Sequence, residues 1–93
     1  LTPNSVEAAT EKHIPVVEID GNIAKVTVGS TLHPMEEAHY IEWIYLETSI
    51  GIKRVKLNPK EEPIASFALL EEETVISAYA YCNLHGLWIK ELK

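Results

Sequence analysis

This chain of 93 residues is short of several things, and each shortage closes off a class of function. It has one cysteine, so no internal disulfide can form and a stapled secreted scaffold is excluded. A reducing, cytoplasmic compartment is expected instead. No apolar run approaches the roughly 18 residues of a membrane span, and no basic-then-apolar signal pattern opens the chain. Cations are also scarce. Eight Lys and Arg stand against fourteen Asp and Glu, for a net charge of −6. Nucleic acid and anionic membranes, which need a basic face, are therefore not expected as partners. An anionic substrate would need a local positive centre to overcome the overall repulsion. The first residue is Leu1 rather than Met, as expected if the start was trimmed or a segment precedes it.

What is present reads mostly as strand. Pro15–Ile19 and the alternating Ile23–Val28 flank the turn Asp20-Gly21-Asn22, which predicts a hairpin. "TLHPMEEA" reads as a loop, because Pro34 opposes a regular strand. Further strands are expected at His39–Thr48, Ile52–Leu57, Pro63–Leu70, Thr74–Cys82 and Leu87–Leu92. Seven short strands at this spacing favour an all-β, immunoglobulin-like antiparallel sandwich. The whole chain, residues 1–93, is expected to be one domain, with residues 1–12 an N-terminal loop segment. Only Val6–Glu11 hints at helical periodicity, over a stretch too short to be stable alone. The acidic turns Glu61-Glu62 and Glu71–Glu73 are expected to be solvated faces without a role.

The chemistry-bearing residues are His13, His33, His39, His85 and Cys82. All five fall at predicted strand ends or in loops. Singly, each has a bland reading: a surface imidazole or a buried small hydrophobe. Together they suggest a cluster. Cys82 and His85 form C-x2-H, which one tight turn can aim at a single point, and Gly86 supplies backbone freedom for that turn. His33 and His39 are six residues apart. On a helix they would diverge by about 120°, but a loop entering a strand can bring them together.

A thiolate with imidazoles suits iron, copper or zinc rather than calcium or magnesium. Five ligands are one too many for ordinary tetrahedral zinc, while around iron they leave one octahedral position open. A cupredoxin-like electron-transfer or metal-binding sandwich is the alternative, although no methionine follows His85 as a blue-copper site would want. A cysteine hydrolase would need a cleft that so small a sandwich hardly offers. An adhesion-type sandwich with incidental histidines would bind no metal at all.

"EKHIP", "HPMEEAHYIEWI" and "YCNLHG" resemble the three signature segments of superoxide reductases, the neelaredoxins and the iron-reducing domain of desulfoferrodoxins. The likeness runs from Glu11 to about Trp88, in order and spacing. "NSVEAATEKH" also resembles the linker after the rubredoxin-like module of desulfoferrodoxins, so the chain is either a one-iron member or the isolated iron-reducing domain. The resemblance implies a seven-stranded sandwich and a mononuclear iron (Fe2+/Fe3+) centre. It implies His13, His33, His39 and His85 as equatorial imidazoles and Cys82 as axial thiolate. It also implies that Lys12 guides superoxide and organises water, and that Glu11 can take the sixth position on ferric iron. The implied reaction is one-electron reduction of superoxide to hydrogen peroxide, with a rubredoxin-like protein as donor. Homo-oligomers, dimers or tetramers, are implied as well. Backbone N–H groups near Asn83–His85 are expected to hydrogen-bond the sulfur and moderate its electron donation.

Overall fold

The computed structural model describes residues 10–92, with the side chains of Thr10 and Glu11 outside the description. One helical turn, α1 (Thr10–His13), leads into seven strands. These are β1 (Pro15–Asp20), β2 (Ile23–Val28), β3 (Ile41–Thr48), β4 (Gly51–Lys56), β5 (Ile64–Ala68), β6 (Val75–Cys82) and β7 (Gly86–Glu91). They form two antiparallel sheets, β1-β2-β5 and β4-β3-β6-β7. The expected all-β, seven-stranded sandwich is therefore observed.

Each expected strand is present, with ends shifted by at most two residues. The loop from 31 to 40 holds no strand and closes on itself through an isolated Glu36–His39 bridge. Residues 10–12, expected as loop, belong to the helical turn α1. One turn is too short to show apolar periodicity, so the sequence pattern gives no sign of it. The remainder of the Val6–Glu11 stretch lies outside the described residues.

Alternation explains the packing. In β2, Ala24, Val26 and Val28 are fully buried, and the residues between them are not. Ile44 and Leu46 of β3 face Ala78 and Ala80 of β6 across the central ladder, all without exposure. Phe67 and Ala65 of β5 close the core from the other sheet. Small residues opposite large ones let the two sheets interdigitate. Each buried Val, Leu, Ile or Phe contributes about 1.5–3 kcal/mol of transfer free energy. Gly21 closes the β1–β2 hairpin at φ 59°, in the left-handed region where glycine is favoured.

One expectation fails. Glu73 is not a solvated face: its side chain is covered, while Glu71 and Glu72 are exposed. Its carboxylate accepts from Thr48 Oγ1, from Leu70 N at 3.0 Å and from Lys53 Nζ at 2.9 Å. An acidic triplet gives no hint of which member turns inward. That depends on where the β5–β6 loop meets the end of β3.

Strand direction sorts the ends of the sandwich. The start of β1, the end of β2, the start of β3 and the β6–β7 turn lie together at one end. The Asp20–Asn22 turn, the end of β3 and the β5–β6 loop lie at the other. The five candidate residues all belong to the first end.

Candidate metal centre

The candidate side chains come from three separate parts of the chain. His13 ends α1 just before β1, and His33 and His39 sit in the loop between β2 and β3. Cys82 is the last residue of β6, and His85 lies in the three-residue turn before β7. Gly86 leaves that turn at φ 80°, a conformation that side-chain-bearing residues rarely adopt. Met35 anchors the histidine loop. Its side chain packs on the core, its sulfur accepts from Ile41 N, and its carbonyl accepts from Lys60 N at 2.7 Å.

The four imidazoles stand around a square. Neighbouring ring centres are 4.6 Å apart for His13–His33, 4.7 Å for His33–His39, 5.1 Å for His39–His85 and 4.9 Å for His85–His13. Each neighbouring pair meets edge to face, between 74° and 87°. The diagonal pair His13–His39 is farther apart, at 6.4 Å, and closer to parallel at 31°. Cys82 belongs to the hydrophobic core, so its sulfur reaches the group from the protein side, 3.8 Å from His85 Nδ1.

The ligand atoms of His13, His39, Cys82 and His85 lie within 4.8 Å of one another. His33 falls outside that tight quartet. Its Nε2 lies 3.2 Å from His13 Nε2, which places it at the remaining corner. Thus the structure brings all five predicted ligands to one place. Lys12 is exposed beside His13, and the Glu11 side chain lies outside the described residues.

The protonation states follow from the contacts. His33 Nδ1 donates to the Pro34 carbonyl at 2.7 Å, leaving Nε2 as a bare lone pair pointed at His13. Burial pushes the His33 pKa down to about 4, against the pull of that carbonyl and with help from the other three imidazoles. His39 is also lowered, first by burial, then by His85 and by the charge of Lys12. Both shifts favour the neutral ring, the form in which imidazole binds metals. Burial pushes the Cys82 thiol up, while hydrogen bonds from the backbone N–H groups of Leu84 and His85 favour its thiolate. Those two donors match the sulfur contacts expected around Asn83–His85.

The arrangement fits a metal ion. His39 Nε2 is buried and has no hydrogen-bond partner among the described residues, an expensive state for a polar atom. His85 Nδ1 and His33 Nε2 crowd His13 Nε2 at 3.1 Å and 3.2 Å. A cation among these atoms satisfies them together. Nitrogen and sulfur donors without a carboxylate suit a transition metal.

The family comparison agrees. A model of the family described as Desulfoferrodoxin matches residues 5–91. The chain belongs to the desulfoferrodoxin family. A desulfoferrodoxin homolog of Archaeoglobus fulgidus is 48% identical over 90% of this chain and 66% of that protein. The chain thus spans about two thirds of that relative's length. The superoxide reductase of Treponema pallidum superposes with a TM-score of 0.95 at 46% identity, over 98% of this chain and 75% of that one. The superoxide reductase (1Fe-SOR) of Giardia intestinalis gives 0.76 at 35% identity, over 89% of this chain and 98% of that one. The chain's cluster stands at the end of the desulfoferrodoxin sandwich described above.

One contributor escaped the sequence reading. Trp88 is 1% exposed, stacks on the His13 ring at 4.7 Å and donates Nε1–H to the His85 carbonyl at 3.2 Å. It braces two of the imidazoles at once. Its position three residues after His85 was the available signal. A groove near 620 Å³ opens at the opposite end among Ile19, Leu70, Glu71 and Leu92. It contains none of the five residues.

Proposed function

We propose that the protein reduces superoxide by one electron to hydrogen peroxide at mononuclear iron. His13, His33, His39, His85 and Cys82 hold the metal in this reading. The observation that carries it is the square of imidazoles beside a core thiol, with His39 Nε2 left without a hydrogen-bond partner among the described residues. Bound iron, alternating between Fe2+ and Fe3+, supplies the electron. Superoxide takes up that electron and two protons, and no dioxygen is made.

The protein's own groups set the conditions. Coordinated by neutral imidazoles and one thiolate, ferrous iron would keep a net positive charge, which carboxylate ligands would cancel. Leu84 and His85 N–H groups spread the sulfur's charge. Lys12, exposed next to His13, draws the anion in at short range, where the distant acidic surface is screened over about 8 Å. Water held at Lys12 Nζ passes protons to the departing peroxide. Glu11 would supply a further ligand to the iron once oxidised. An external rubredoxin-like protein restores the reduced state.

Residues 1–93 act as one domain in this reading, and the location is cytoplasmic. Among the described residues no helix is long and apolar enough to cross a membrane. A homo-oligomer, dimer or tetramer, belongs to the same proposal. The outer face of the four-stranded sheet supports it. There Trp43 stacks on Tyr45 and Tyr81, beside Tyr79 and Leu87, where an antiparallel sheet ordinarily shows water a polar face. Sedimentation of a Trp43→Glu variant as a monomer, against an oligomeric parent, tests that face.

Stopped-flow mixing of the reduced, iron-loaded protein with superoxide tests the activity. One peroxide per electron consumed, without dioxygen, is expected. Dioxygen release, or no accelerated superoxide decay, overturns it. A Cys82→Ser variant is expected to lose the sulfur-to-metal charge-transfer absorption of the oxidised protein. Tight selective binding of copper without superoxide reduction would favour the cupredoxin-like alternative.

A further inference from the structure

We infer that Asn83 is a positioning residue that holds the His39 imidazole in register with Cys82 and His85. The inference rests on the metal reading above.

The β3–β6 ladder runs out at the Ile41–Cys82 pair. Beyond it the chains part. One continues backward into the histidine loop, the other forward into the 83–85 turn. The Asn83 side chain continues the ladder where backbone no longer can. Its Oδ1 accepts from Tyr40 N at 2.9 Å, and its Nδ2 donates to the Ala38 carbonyl at 3.0 Å. Those are the backbone groups on either side of His39. A third bond, from Asn83 N to the Tyr40 carbonyl at 3.2 Å, fixes the base of the clamp.

The chemistry requires this residue type. A planar amide offers one donor and one acceptor side by side, as a peptide group does. Aspartate would keep the acceptor but set a second oxygen against the Ala38 carbonyl. Alanine would keep neither bond. Inside its own loop His39 is held by reciprocal 3.0 Å bonds between its backbone and that of Glu36. That bridge shapes the loop but does not tie it to the Cys82–His85 turn. Asn83 does, because it lies between those two residues. The clamp sits outside the buried core cluster, so its removal is expected to disturb the site and spare the fold.

The test uses the full chain, metal-free, titrated with Co2+ and followed by cobalt–thiolate absorption. Metal-free unfolding midpoints and hydrogen exchange at the Tyr40 amide are measured in parallel. Asn83→Ala is expected to weaken Co2+ binding by about 10–100-fold, the usual cost of losing a partner that orients a ligand. Tyr40 exchange should quicken, and the metal-free midpoint should stay put. Asn83→Asp, nearly the same shape, is expected to keep Tyr40 protected yet still bind Co2+ more weakly. It also serves if the alanine variant does not fold. Co2+ binding by both variants as tight as the parent's overturns the inference, and so does a metal-free midpoint that falls with the affinity. If the unaltered chain takes up no Co2+, the metal reading itself fails and this inference with it.

Discussion

At one end of the sandwich the Glu73 carboxylate is buried and completely served by its own protein: Thr48 hydroxyl, Leu70 amide and the Lys53 ammonium. At the other end His39 Nε2 is buried and served by nothing among the described residues, while neighbouring imidazole nitrogens crowd one another. Both ends take polar atoms out of water. Only the first repays the desolvation internally. The difference separates a polar network that holds a fold together from one that waits for a ligand. Lysine use follows the same division. Lys53 is committed to Glu73 and the Ala68 carbonyl, whereas Lys12 is exposed at the histidine end.

Metal removal should break the contrast most strongly. At metal concentrations about 1,000-fold above Kd, binding stabilises the fold by about 4 kcal/mol. At about 4–8 °C per kcal/mol for a chain of this size, chelation should lower Tm by roughly 15–30 °C in calorimetry. A Tm indifferent to chelator would mean that the histidine end is complete without a cation.

Thr48→Val comes next. It leaves a buried carboxylate oxygen short of a donor, at a cost of about 1–3 kcal/mol. Urea unfolding should show that loss, with metal affinity unchanged. A fall in affinity instead would show that the two ends are coupled.

Acid sharpens the comparison further. Hydrogen bonds from Thr48 and Leu70, then Lys53, lower the Glu73 pKa from 4.5 to about 2. The folded value lies below the unfolded one. The stabilisation is therefore complete above 4.5 and is lost as pH falls toward 2. Urea midpoints of Glu73→Gln should lack that part of the acid slope. An unchanged slope would mean that the carboxylate is not held as described.

Lys12→Ala should move stability least. The expected effect is kinetic: about tenfold slower superoxide capture at low ionic strength, with a weaker salt dependence. An unchanged rate at low salt would remove Lys12 from anion capture.

Much of this was legible in the residues. Period-two alternation marks Ala24, Val26 and Val28 as an inward row, and Gly21 and Gly86 mark turns, because those signals are local. C-x2-H marked a tight turn that brings a thiol and an imidazole together for the same reason. Glu73 was misread because its neighbours Glu71 and Glu72 are chemically identical to it. Nothing along the chain says which one meets Thr48, 25 positions away. The clamp of Asn83 on Ala38 and Tyr40, and the stacking of Trp88 on His13, are likewise contacts between distant segments.

By itself the sequence determined the strands, the turns, the two-sided pattern of the core and the inventory of soft donors, since each depends on residues a few positions apart. The tertiary structure alone decided that four imidazoles form a square, that the thiol approaches from the core, and that one buried nitrogen is left without a partner among the described residues. Those outcomes depend on how two sheets bring four separate chain segments to one end, and loop lengths and spacing do not specify that geometry.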